Sequence, residues 1–178
     1  FPEGFYNDTH VVITTLSYDG INLPETIAAT GASLALSISD IPFNGPVAGV
    51  IVGYVNGEYI LNPSKEVLEN CDIFLSIAGT KDAITMVEAG AKEVSEEVML
   101  GAIIFGHDRI KEICAFQEAF IELVGNKEKF AFEVKEPLAQ VKEFVDAAEE
   151  RIKEAVLTVG KQAREEALEL IEEKLLEE

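Results

Sequence analysis

Apolar positions recur along this chain with helical, alternating and continuous patterns, and each pattern predicts an element. From Pro24 to about Ser39, Gly31, Ala32 and Ser33 let a neighbouring backbone come close, while Leu34, Leu36 and Ile38 supply bulk. That mixture predicts a helix buried on more than one side. Pro24 falls in its first turn, where the missing N–H costs little. Residues Asp40 to Pro46 hold two prolines and a glycine and cannot continue the helix. The apolar run Val47 to Val55, the pair Asn56-Gly57 and the return run Glu58 to Leu61 predict a β-hairpin, because both central residues of the favoured turn need positive φ. Asn62-Pro63-Ser64 opens a polar turn or short helix through Asn70. Asp72 to Ala78 is short and apolar enough for a buried strand, and after the turn Gly79-Thr80-Lys81-Asp82 the run Ala83 to Ala91 predicts its hairpin partner. The sheet is therefore expected to be at least partly antiparallel. His10 to Ser17, β-branched and apolar with the turn Tyr18-Asp19-Gly20 behind it, predicts a further strand.

Beyond Lys92 the period changes to three and four. Ser95, with Glu97 and Val98 after it, has the pattern of an N-cap with acids in the first turn. Met99, Ala102, Ile103, Gly106, Ile110, Ile113, Cys114, Phe120, Ile121 and Val124 then mark one amphipathic helix of about 45 Å. The period lapses from Gly125 to Pro137, the expected boundary between two structural units. Leu138, Val141, Val145, Ala148, Ile152, Ala155 and Val159 mark a second helix with Gly160 as its stop, and Ala163, Ala167, Ile171 and Leu175 mark a third. Their glutamates read as a solvated face. Their apolar stripes need a further partner, so the chain is expected to be cut off at its end.

The charge narrows the function classes. The 178 residues carry 33 acidic against 14 basic side chains, a net charge of −19, and no Lys or Arg precedes Lys65. Such a chain repels phosphate backbones, so nucleic-acid contacts must come from residues outside it or from partner surfaces. Cys71 and Cys114 lie far apart without ligand-like neighbours, as expected of buried thiols in a reducing cytosol. No apolar run approaches membrane-spanning length, and the start carries no leader pattern and no initiator Met, which is expected of a fragment or a processed chain.

Residues able to carry chemistry are scarce. His10 and His107 have no second His, Cys or patterned carboxylate at metal spacing, so both read as structural; a general base would need a nucleophile or substrate group that the sequence does not identify. Gly31-Ala32-Ser33 is not a Gly-x-Ser-x-Gly elbow, which leaves Ser33 as a small packing residue. The glycines at 45, 49, 53 and 57 fit no phosphate-binding pattern. No residue is assigned a catalytic, cofactor-binding or metal-binding role.

An ordered set of short motifs carries a resemblance. Phe1-Pro2-Glu3-Gly4-Phe5, Gly31-Ala32-Ser33-Leu34-Ala35-Leu36, Ile41-Pro42-Phe43-Asn44-Gly45-Pro46, Val52-Gly53-Tyr54, Leu61-Asn62-Pro63, Ala78-Gly79-Thr80, Met86-Val87-Glu88 and Phe105-Gly106-His107 together resemble the first ribonuclease-PH-like core of bacterial polynucleotide phosphorylase. The tail with Lys161, Gln162 and Arg164 is similar to the start of that family's all-helical linker domain. The resemblance implies an α/β (α+β) fold: a ribonuclease-PH-like core lacking its N-terminal strands, with a mixed sheet and packed helices, followed by an all-helical segment. It divides the chain into the end of the first subdomain (1–46), the second subdomain (47–124), a linker (125–136) and the start of the helical domain (137–178).

The family is implied to degrade RNA from its 3′ end by phosphorolysis, with inorganic phosphate as co-substrate and Mg²⁺ as cofactor, as a cytoplasmic homotrimer. Its implied partners are RNA, the second ribonuclease-PH-like core of the same chain and other RNA-degradation proteins, with no membrane. In the family's active core a metal-binding Asp, a second Asp six residues on and a Lys two further lead into a turn like Ala78-Gly79-Thr80. The equivalent positions here are Leu68, Phe74 and Ser76, and the phosphate-holding serine run falls near Leu23-Pro24-Glu25. The segment is therefore expected to be non-catalytic, to form part of the trimer and to shape the RNA channel. The competing readings are a stand-alone phosphorolytic exonuclease resembling ribonuclease PH and an acidic protein-interaction module unrelated to RNA.

Overall fold

A computed structural model describes residues 1–125, 127–134 and 138–177. It contains α1 (Pro24–Ile38), β1 (Ala48–Val55), β2 (Glu58–Leu61), α2 (Lys65–Leu68), β3 (Ile73–Gly79), β4 (Ile84–Ala91), α3 (Glu96–Val124), α4 (Ala139–Ala147), α5 (Glu149–Val156) and α6 (Lys161–Glu177). The described residues fall into two compact units, Phe1–Glu133 and Val134–Glu178.

In the first unit the strands lie in the order β2-β1-β3-β4. Every pairing is antiparallel, so the sheet expected to be mixed is antiparallel throughout the described strands, within the expected α+β class. The β1–β2 turn takes the conformation its Asn-Gly pair predicts, with φ of 52° at Asn56 and 85° at Gly57. Alternation along the strands sends Val50, Val52, Ile73, Leu75 and Ile77 to one face, where they meet Ala102, Ile110 and Cys114 of α3. Gly106 brings α3 close to this face: a Cβ there would stand 2.9 Å from Ile77 Cγ2 and 3.1 Å from Val52 Cγ2. The length of α3, 29 residues, and its Ser95 cap, whose hydroxyl accepts from Val98 N, agree with the sequence pattern.

The opposite face is covered only in part. α1 packs over β1, with Ala29 Cβ 3.6 Å from where a Gly49 Cβ would lie. At β3 and β4, Phe74 and Met86 remain exposed, and every residue of β4 after Ile84 is exposed.

Two expectations are corrected. His10 to Ser17 forms no strand; it has no regular structure, and Val12 and Leu16 are 71% and 93% exposed. A β-branched run becomes a strand only when another strand completes its hydrogen bonds, and no described strand lies beside this one. The second amphipathic helix is divided: Ala148, with φ −91° and ψ −3°, separates α4 from α5. In the second unit α5 packs on α6, Ala148 and Ala155 are buried, and a groove of about 490 Å³ is lined by Val141, Phe144, Val145, Ile152, Leu168 and Ile171. Gly160, at φ 96°, leads into α6; the stop expected there falls earlier, since α5 ends at Val156 with Leu157 as its C-cap. Of the predicted boundary segment, residues 126 and 135–137 lie outside the described residues.

Candidate functional site

Of the three positions that the resemblance assigns to metal and phosphate chemistry, Phe74 and Ser76 lie on the incompletely covered face of the sheet and Leu68 lies on α2. Strand alternation turns Phe74 and Ser76 away from α3; their partners are Gly53 and Ile51 on β1 and Gly90 and Glu88 on β4. Phe74 is 38% exposed and Ser76 half-buried. Leu68 ends α2, and its carbonyl accepts from Cys71 N at 3.1 Å. Two apolar side chains and one hydroxyl offer no hard oxygen set for a divalent cation. Among the described residues no group of three or more His, Cys, Asp or Glu could hold a metal ion. Where the phosphate-holding serines would fall, α1 has Leu23 as its N-cap residue, without a side-chain cap, and carries Glu25 in its first turn. A carboxylate there suits the helix dipole and repels an anion.

Of the single-residue candidates, His107, Ser33 and Cys114 take structural roles, whereas His10, expected to be structural, does not. His10 is exposed in the unpaired N-terminal segment. His107 Nε2 lies 3.1 Å from the Thr80 carbonyl, to which it donates, and this ties α3 to the β3–β4 turn. Ser33 is 1% exposed, and its hydroxyl accepts from Val47 N at 2.9 Å, joining α1 to the entry of β1. Cys114 is buried, and its thiol donates to Pro46 O at 3.7 Å; burial pushes its pKa above the ordinary thiol value, so it is protonated and unreactive at neutral pH. Gln117, fully buried, donates to Val47 O at 2.9 Å.

A cleft of about 480 Å³ opens beside these contacts. Its wall includes Phe43, Pro46, Lys81, Glu118, Lys127 and Lys129. Lys81 Nζ donates to Glu118 Oε1 at 2.7 Å, and that carboxylate raises the pKa of the ammonium. Lys129 Nζ donates to the carbonyls of Leu36 (3.4 Å), Ser37 (2.8 Å) and Ser39 (2.6 Å) at the C-terminus of α1. No pattern along the chain signals this last arrangement: Lys129 lies in a segment without period, some ninety residues from its acceptors.

The antiparallel sheet with α3 across one face coincides with the match to "3' exoribonuclease family, domain 2", which covers residues 45–109. By this match residues 45–109 are a domain of the 3′ exoribonuclease family. Within it, the similarity is to proteins named polyribonucleotide nucleotidyltransferase, that is, polynucleotide phosphorylases. The relative from Listeria welshimeri is 51% identical over 99% of this chain and 24% of its own length. That from Streptococcus gordonii is 51% identical over 98% of this chain and 24% of its own, and that from Exiguobacterium sibiricum is 59% identical over 75% and 18%. The chain spans about a quarter of the length of these curated relatives. Among the described residues no helix is long and apolar enough to cross a membrane.

Proposed function

We propose that this chain is the non-catalytic first core, with the start of the helical linker, of a phosphate-dependent 3′-to-5′ exoribonuclease that uses Mg²⁺ and acts in RNA degradation. On this reading residues 1–46 and 47–124 are parts of two ribonuclease-PH-like subdomains, 125–136 is a linker and 137–178 opens the helical domain. The observation that carries it is a conflict within one sequence: 51% identity to a nucleotidyltransferase across the whole chain, with Leu68, Phe74 and Ser76 where metal and phosphate chemistry would need two carboxylates and an ammonium.

What remains for the segment is scaffolding. The exposed face at Phe74 and Met86 and the exposed strand β4 suit packing against the second core of the same chain and against neighbours in a trimer. With a net charge of −19, the segment shapes an RNA channel by exclusion, and other surfaces grip the RNA.

The test is incubation of the purified chain with oligo(A), Mg²⁺ and phosphate, with a full-length relative in parallel. The expected outcome is ADP release by the full-length enzyme and none above a mock preparation by this chain. ADP release by the chain itself would overturn the non-catalytic assignment and favour the stand-alone exonuclease.

A further inference from the structure

We propose that residues 127–133 form a clasp across one end of the first unit, with the Lys129 ammonium as its latch, and that this clasp opens and closes without disturbing the sheet or α3. Three stretches far apart in sequence meet here. Lys129 spends all three N–H donors on the carbonyls of Leu36, Ser37 and Ser39, and Phe130 N donates to Asp40 O at 2.9 Å. The rings of Phe130 and Phe132 pack on Phe5 at centroid distances of 5.7 and 5.3 Å, and Phe5 stacks on Phe1, which in turn meets Phe43.

The chemistry of α1 explains the latch. Its last turn contains no basic residue; Ser39 N and Oγ meet the Leu36 carbonyl at 3.3 and 2.8 Å, while the Ser37 and Ser39 carbonyls still need a donor and the helix dipole a cation. A lysine brought from the far side of α3 supplies both. The same carbonyls could be met by water, so the latch is a preference and not a requirement of folding.

The clasp is separable because it buries little. None of its residues belongs to the apolar core, Phe130 is 37% exposed, and residues 127, 128, 131 and 133 are exposed. Segments with few buried apolar contacts open at free energies far below that of the whole domain. Lys127 and Lys129 also wall the 480 Å³ cleft, so the open clasp enlarges it.

Amide hydrogen exchange on the whole chain tests this, with Lys129→Met removing the charge and retaining the stem. Exchange across 127–133 is expected to quicken at least tenfold, with β1, β3 and α3 unchanged and Lys129→Arg restoring protection. Phe132→Ala, which releases the other anchor without changing charge, should give the same local pattern and decides the matter if Lys129→Met does not fold. Unchanged protection of 127–133 in both variants, or acceleration spread evenly over the sheet and α3, would overturn the proposal. This readout does not depend on any RNA activity.

Discussion

The hydroxyl of Ser33 is the most consequential small group in the first unit. It accepts the Val47 amide across 14 residues of sequence, at a point where β1 has not yet begun and no strand partner can take that donor. Ser33→Ala leaves the part-buried Val47 amide unmet, and the expected loss is about 1 kcal/mol, read as a lower urea midpoint with an unchanged slope. The sequence showed that position 33 must be small and buried, because Gly31, Ala32 and Ser33 interrupt a run of larger side chains. It did not show the hydrogen bond, since nothing in local spacing indicates which distant amide a helix serine will meet. Lys129 was illegible for the same reason. The strand alternation that places Phe74 and Ser76 on one face follows from their spacing of two.

Elements were legible where the pattern carried its own support. The Asn56-Gly57 hairpin, the β3–β4 pair and the long α3 all depend on short-range signals: positive φ in a two-residue turn, an N-cap and an unbroken helical period. Removing the cap by Ser95→Ala should destabilise the unit by about 1 kcal/mol, because Val98 N then loses its acceptor at the helix start. Calorimetry would show this as a fall of a few degrees in Tm for a unit of this size, and no fall would mean that water replaces the cap without cost. The two elements misread failed for the opposite reason. His10 to Ser17 has strand composition but no strand beside it, and the helix expected from Leu138 to Val159 has the right period but turns at Ala148, so that α5 can pack on α6.

At the scale of the molecule, α3 covers one face of the sheet at β1 and β3, the other face is left open beyond α1, and β4 is an edge among the described strands, exposed after Ile84. Unpaired edges with exposed apolar side chains template association. Here Met86 and Val87 are 44% and 49% exposed. The purified chain is therefore expected to self-associate in light scattering, and Val87→Lys to shift it toward the 19.4 kDa monomer. A clean monomer before substitution would show that the edge is protected in solution. The division between the two faces has a consequence for how such a protein can change over time. Everything that makes β3 a strand of this fold lies at Ile73, Leu75 and Ile77, buried at 0% exposure, while the residues that would decide chemistry alternate with them and look outward. The outward positions 74 and 76 can thus change one at a time while the chain still folds by the same core, so this architecture leaves its chemistry free to vary independently of its stability.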